Sequence, residues 1–388
     1  TALSDVARLL VELCAIASPS GRERPALEAV ARYLRDLGLQ PVEDGAGARI
    51  GSDCGNLVCR IPATAGAAPG GTPIFLCAHL DTVPPAAGAE LRPVIEDGIV
   101  RNAGGTILGA DDKAAIAVML EAVRRVLAEG RPHAGIDLLF TLQEEVTLGG
   151  ARELALDAFE ARVGFVYDVS APVGEVILAA PHQTGAELVF HGRSAHAGIV
   201  PEDGRSAIVA AARAIAALPH GRVDPETTLN VGIVEGGTAL NVVPERCVVR
   251  VDLRSHSEAR LGEVTQQVLD AAAWAANEGG CTLEAKVYET CPGYRLTAAD
   301  PAVAIATAAL AQAGFAPRHT VTGGGADTNI FNRRGLHCVT LSNGMVDIHT
   351  PDERIAVADL EAMVEVTLAL VDVARGTAPA AARRAGAA

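Results

Sequence analysis

The run Phe75-Leu76-Cys77-Ala78-His79-Leu80-Asp81-Thr82-Val83-Pro84 constrains this chain more than any other segment. Its apolar part reads as a buried strand, and it delivers a histidine and an aspartate to the strand's end before a proline closes it. His79 and Asp81 are two residues apart, so on an extended backbone their side chains share a face. There a carboxylate can hydrogen-bond one imidazole nitrogen while the other nitrogen faces a metal, which fixes the ligand's tautomer and raises its basicity. A strand end with two solvated polar residues is the plainer reading of the same segment.

Further segments repeat the pattern. Leu108-Gly109-Ala110-Asp111-Asp112-Lys113 follows a glycine-rich stretch and opens a helical pattern with Ile116, Leu120, Val123 and Leu127 on one face. Adjacent aspartates repel, so an ordered turn that pairs them makes most sense beside a cation; an acidic helix N-terminus is the alternative. Ile136 to Gln143 reads as another buried strand and ends in Glu144-Glu145. Two carboxylates at one strand end can divide the work, one holding metal and its neighbour staying free as a base. Val163 to Tyr167 delivers Asp168, and the strand-like run Leu336 to Leu341 leads through Ser342-Asn343-Gly344 to Asp347-Ile348-His349-Thr350-Pro351. Ligands of open α/β sheets gather at the carboxyl ends of strands. The donors are nitrogen and oxygen with no thiolate, which suits a catalytic zinc, cobalt or manganese site better than a closed structural zinc site.

With these motifs in hand, the chain resembles the dinuclear-zinc exopeptidases and amidohydrolases that include peptidase T, carboxypeptidase G and succinyl-diaminopimelate desuccinylase. HLDTVP, GADDKAA, QEE, the aspartate after VY and the late HTPDE come in that family's order. Between the last two lie GRSAHAG (Gly192 to Gly198), GGTALNVVPE (Gly236 to Glu245) and DLRS (Asp252 to Ser255). The likeness extends to about the final helix. It is strongest to the peptidase T-like branch, through GADDKAA and AHAGIVPEDGRSAI.

The resemblance implies roles. His79 and Asp168 would hold one metal, Glu145 and His349 the other, and Asp111 would bridge them through a cis Asp111–Asp112 peptide. Asp81 would orient His79, and Glu144 would be the general base. Two zinc ions per chain are implied, with cobalt or manganese as alternatives. Three carboxylates and a bridging hydroxide would then balance two dications, and a buried site tolerates a neutral cluster far better than net charge. His196 would stabilise the tetrahedral oxyanion, across a dimer interface formed by the lid domain. Arg254 offers a fork that suits a substrate carboxylate, although a structural salt bridge fits it nearly as well. Asn241 is a candidate for the same end of the substrate, and Gly323 to Gly325 (Gly325 foremost) for close backbone approach to it.

Nucleophilic and phosphate-binding alternatives find little support. No G-x-S-x-G elbow occurs, and the glycine-rich stretches form neither G-x-x-x-x-G-K-[ST] nor G-x-G-x-x-G after a strand. Lys plus Arg number 32 against 47 Asp plus Glu, a net charge of −15. That argues against nucleic-acid and anionic-membrane partners. The eight cysteines are scattered without a C-x-x-C, several inside apolar runs, which suits buried free thiols in a reducing, cytoplasmic setting. No basic region followed by an apolar one opens the sequence, and the longest uncharged stretches are broken by proline and glycine.

With 388 residues the chain is long enough for two domains. The expected class is α/β: a catalytic domain with a mixed central sheet flanked by helices, formed by residues 1–180 and 295–375. A lid and dimerisation domain, residues 181–294, is inserted into it. Four strands and two helices over 186–288, in the order strand-helix-strand-strand-helix-strand, make that insert ferredoxin-like. Ser4 is expected to cap the first helix, and Ser20 with Glu23 to form a capping box for the second, which stops at Gly38. The Ala-rich tail, 376–388, reads as disordered. The function expected is hydrolysis of short peptides, as by a tripeptide aminopeptidase. A carboxypeptidase or N-acyl-amino-acid amidohydrolase with the same metals is the alternative, and a non-catalytic binder a third reading.

Overall fold

The computed structural model describes residues 4–64 and 71–376; the expected disordered tail lies, from residue 377 on, outside them. The chain forms two compact units. Among the described residues, one comprises those up to 178 together with 295–321 and 326–376, the other 179–294 and 322–325.

In the first unit, four parallel strands form the middle of a larger mixed sheet, in the order Ile136–Thr141, Ile74–His79, Val163–Val166, His337–Leu341. Leu57–Ile61 continues it antiparallel on one side, and Glu175–Ala180 on the other. Every residue of the four parallel strands is buried, as continuous apolar runs covered on both faces should be. Because the strands are parallel, all four carboxyl ends lie along one edge, so whatever follows them meets there.

Packing inside the sheet is close. The ring of Phe75 meets Phe159 and Phe331 edge-on, with centroids 5.7 and 5.4 Å away. Its cross-strand partner is Gly164, where a Cβ would fall 2.1 Å from the Phe75 ring. Only glycine leaves room for the aromatic side chain at that register.

The helix Ala110–Ala128 departs from its sequence reading. It is buried on nearly every side from Ala110 to Val123, whereas Leu127, expected on the inner face, is 36 % exposed. Small alanines between the larger apolar residues let neighbours approach from all directions. Ser4 stands at the N-cap of Asp5–Cys14 but makes no side-chain cap bond. The capping box at Ser20 and Glu23 does not form either. The second helix starts at Arg24 without a side-chain cap, because both polar groups are used elsewhere. Gly38, at φ 81°, does end that helix in the left-handed conformation.

The second unit has the ferredoxin-like order read from its sequence. Its sheet runs Gly221–Asp224, Thr227–Gly236, Arg246–Ser255, His182–His191, Thr282–Cys291, all antiparallel. Helices Ala207–Ala217 and Glu258–Glu278 cover it, sharing a core of Leu188, Phe190, Val249, Val251, Val264 and Val268 with the sheet. The short edge strand Gly221–Asp224 was not legible in the sequence, since four mostly polar residues carry no period. Among the described residues no helix is long and apolar enough to cross a membrane.

Candidate metal centre

The carboxyl edge of the parallel strands brings the expected donors together in two groups. His79, Asp111 and Asp168 offer ligand atoms all within 4.8 Å of one another, and so do Asp111, Glu145 and His349. Asp111 belongs to both. His79 Nε2 lies 3.1 Å from Asp111 Oδ1, and His349 Nε2 lies 3.2 Å from Asp111 Oδ2 and 3.0 Å from Glu145 Oε1.

The local backbone explains how each side chain arrives. His79 ends a fully buried strand. Asp111 and Asp112 have non-helical backbone angles at the mouth of Ala110–Ala128, and the peptide between them is cis, as the family likeness implied. Gln143, at φ 49°, turns the chain sharply after Ile136–Thr141, so that Glu144 and Glu145 begin the short helix Glu144–Thr147. His349 sits at φ 64° in a loop whose ends, Val346 and Arg354, pair as an antiparallel bridge.

Asp81 differs in detail from its expected role. His79 Nδ1 is 2.9 Å from the Asp81 backbone carbonyl and 3.5 Å from its carboxylate. The carboxylate has nearer partners: Oδ1 accepts from the Glu144 amide at 3.0 Å, and Oδ2 from the Glu145 amide at 3.2 Å and the Ser20 hydroxyl at 2.7 Å. One residue thus sets the histidine's tautomer with its main chain and positions the paired glutamates with its side chain. Glu23, the other half of the expected capping box, accepts from the amides of Gly21 and Gln143 and from the Ser52 hydroxyl. It also belongs to a third acidic group with Asp53 and Cys54, but burial pushes the Cys54 thiol up to about 12, far from a thiolate ligand.

The charges at this edge perturb one another strongly. Burial and the neighbouring Asp111 push the Asp168 carboxyl well above its ordinary range, and burial with Asp168 does the same to Glu144. Burial works against a charged His79, yet its hydrogen bonds to Asp111 and Asp81 outweigh that and hold the imidazole far above its usual value. His349 is raised to about 10 by its bonds to Asp111 and Glu145. Asp111, though buried, is held low by the two imidazoles. Carboxylates that crowd one another and hold two imidazoles in their protonated form make a set that divalent cations would satisfy. The donor chemistry, carboxylate oxygen and imidazole nitrogen in two groups sharing one aspartate, fits a pair of such ions.

The substrate-side candidates all lie in the second unit. His196 and Asn241 are exposed on neighbouring loops: Val242 bridges to His196, and the Ala197 amide donates to the Asn241 carbonyl at 3.0 Å. Arg254 is partly committed, with Nε on Asp252 Oδ2 at 2.8 Å and Nη1 on the Gly323 carbonyl at 3.1 Å. At Gly325 a Cβ would fall 2.8 Å from Gln183 Nε2 and 2.9 Å from Cys291 Sγ, so close packing within the unit already accounts for a glycine there.

Two buried acids at the first unit's edge escaped the sequence reading. Asp327 accepts from Thr141 Oγ1 at 2.5 Å, and burial raises its carboxyl to about 6. Glu353 accepts from the Gly109 and Asp111 amides. The only sequence signal for Glu353 was its place at the end of HTPDE.

A model of peptidase family M20/M25/M40 matches residues 75–373. The chain belongs to that family. Its relatives include the Bacillus subtilis (strain 168) protein YqjE, 35 % identical over 362 residues, which span 93 % of this chain and 96 % of that one. A tripeptidase from Staphylococcus aureus subsp. aureus Mu50 superposes with a TM-score of 0.90 at 32 % identity, over 96 % of this chain and 98 % of that one. Aminopeptidase PepT from Bacillus cereus ATCC 10987 gives 0.85 at 34 %, over 95 % and 98 %. The family and these neighbours make the chain a metallopeptidase of the peptidase T-like kind, with the α/β fold expected of it.

Proposed function

We propose that this M20 peptidase removes the amino-terminal residue of short peptides, tripeptides foremost, using two divalent cations, zinc before cobalt or manganese. The observation that carries the reading is the pair of donor groups meeting at Asp111, in a chain whose whole-length structural neighbours include a tripeptidase and an aminopeptidase. His79 and Asp168 would hold one cation, Glu145 and His349 the other, with Asp111 between. Bound there, the cations would supply Lewis acidity and bring a water's pKa towards about 7.

The chain's own groups do the rest. Glu144 takes a proton from the water that adds to the peptide carbonyl and returns it to the amine that departs as the C–N bond breaks; among the described residues no hydrogen bond occupies the Glu144 carboxylate. Asp81 holds the Glu144 and Glu145 amides, so base and ligand keep their spacing. The substrate-contacting roles of His196, Asn241, Arg254 and Gly325 belong to the same proposal.

Ala-Ala-Ala assayed beside its N-acetylated and C-amidated forms tests this. Cleavage of the free and amidated peptides but not the acetylated one is expected. Turnover of the acetylated peptide with loss of the amidated one would make the enzyme a carboxypeptidase or acyl-amino-acid hydrolase instead, and turnover of none a binder.

The second unit also supports assembly into a homodimer. Of the strand Thr227–Gly236, only Thr227 to Leu229 pair on the outer side among the described residues. The open edge beyond carries exposed Ile233 and Val234, with Ile208 and Val209 exposed on the helix Ala207–Ala217. Such an edge templates pairing with a second copy. Sedimentation should give a two-chain particle that Val234→Lys returns to one chain; a wild-type monomer would refute the dimer. Eight buried free thiols support a reducing, cytoplasmic setting.

A further inference from the structure

The turn that carries Asp111 and the loop that carries His349 are distant in sequence, yet one buried side chain joins them. Glu353 is 1 % exposed. Its Oε2 accepts from the Gly109 amide at 2.8 Å and its Oε1 from the Asp111 amide at 3.0 Å. We infer that Glu353 is a positioning residue, whose carboxylate locks the His349 loop to the Asp111 turn and so sets the spacing of the Asp111–Glu145–His349 donor group. The inference rests on the metal reading proposed above.

The loop is built to transmit that lock. Val346 and Arg354 exchange backbone hydrogen bonds at 3.0 and 3.1 Å, closing it. Within it the Thr350 hydroxyl donates to the Asp347 carbonyl at 2.7 Å and accepts from the Asp352 amide at 3.2 Å, while the Glu353 amide donates to the Thr350 carbonyl at 3.2 Å. Asp347 and His349 both take left-handed backbone angles, φ 55° and 64°. The Arg354 guanidinium pairs with the Asp347 carboxylate. A loop so tied moves as one piece, and Glu353 is its anchor beside the closing bridge.

The two donor groups depend on that anchor unequally. His79 is fixed by a strand paired on both sides and by the Asp81 carbonyl. His349 has no such sheet. Its side chain is 44 % exposed, and beyond its contacts with Asp111 and Glu145 its backbone is placed by the loop. Two charge-assisted bonds to amides on the far side of the contact are a strong way to set it. Lys113, fully buried with Nζ on the Ile16 carbonyl at 2.5 Å, is the cationic neighbour of the Glu353 carboxylate. A simpler role is available: a carboxylate near the start of Ala110–Ala128 satisfies free amides and favours the helix whatever the metals do.

Titrating metal-free full-length protein with zinc, followed by calorimetry, separates the two. Wild type should take up two equivalents and His349→Ala one, which identifies the weaker step with the second group. Glu353→Gln leaves one of the two amides facing an NH₂. It should bind the first equivalent as wild type does and the second about 10- to 100-fold more weakly, the range for loss of an outer partner of a metal ligand. Equal weakening of both steps would mark a general structural role and overturn the inference, as would wild-type binding at both. Should Glu353→Gln fail to fold, Glu353→Asp keeps the charge but spans only one amide. It should show the same selective loss in smaller degree, and wild-type binding by it would overturn the inference. If wild type itself takes up no zinc, the metal reading fails first and the inference with it.

Discussion

Glu144→Ala is expected to lower kcat by roughly 10²- to 10⁴-fold while the protein keeps its full complement of bound metal. The geometry makes the two effects separable. Glu144 is placed by its main chain: its amide donates to Asp81 Oδ1 and that of Glu145 to Asp81 Oδ2. Both bonds survive truncation of the side chain, so Glu145 stays 3.0 Å from His349 and the donor groups are undisturbed. What disappears is the one carboxylate at this edge that belongs to neither donor group and takes no hydrogen bond among the described residues. Glu144→Gln, which keeps the shape and removes the proton acceptor, should fall nearly as far. Steady-state kinetics beside elemental analysis of the same preparations checks this. A fully active Glu144→Ala enzyme would remove the base from the mechanism, and a metal-depleted one would move Glu144 among the ligands.

How much of this was legible in the sequence depended on whether a residue's partner was local. Phe75 to Asp81 announced its own strand, and period-2 spacing placed His79 and Asp81 on one face. Parallel strands carry their carboxyl ends to one edge, so Glu144, Glu145 and Asp168 followed by the same logic. Longer-range satisfaction was not legible. Ser20 and Glu23 have the spacing of a capping box, yet the structure gives Ser20 to Asp81 and Glu23 to Gln143, partners 61 and 120 residues away. Glu353 serves amides 244 and 242 residues earlier, and Asp327 a hydroxyl 186 residues earlier. A polar side chain that closes a distant backbone leaves no period behind. The same limit applies to Asp81: its spacing to His79 was visible, but its tie to the glutamate amides was not. Arg254 shows the converse. The fork that reads as a substrate clamp already spends two of its N–H groups on Asp252 and a glycine carbonyl.

The variant with the widest expected consequence is Asp111→Asn. Every other proposed ligand belongs to one donor group, so losing it should empty one position; His349→Ala is the example. Asp111 belongs to both, presenting Oδ1 to the His79 side and Oδ2 to the His349 side. The amide of asparagine keeps the volume but removes a negative charge and turns one of those oxygens into a donor, which no cation accepts. The turn itself should hold, because the Asp111 amide is anchored on Glu353 through the main chain. The two metal steps should therefore weaken together, by more than the roughly 10- to 100-fold that an outer partner costs, and activity should fall below that of Glu144→Ala. Zinc titration of the metal-free protein reads this directly. An Asp111→Asn protein that still bound two equivalents with wild-type affinity would show that the groups share no ligand. The charge balance that makes a buried pair of dications tolerable here would then need a different third carboxylate, and Asp112, buried beside His79 with its Oδ2 3.4 Å from the His79 amide, is the one the geometry offers.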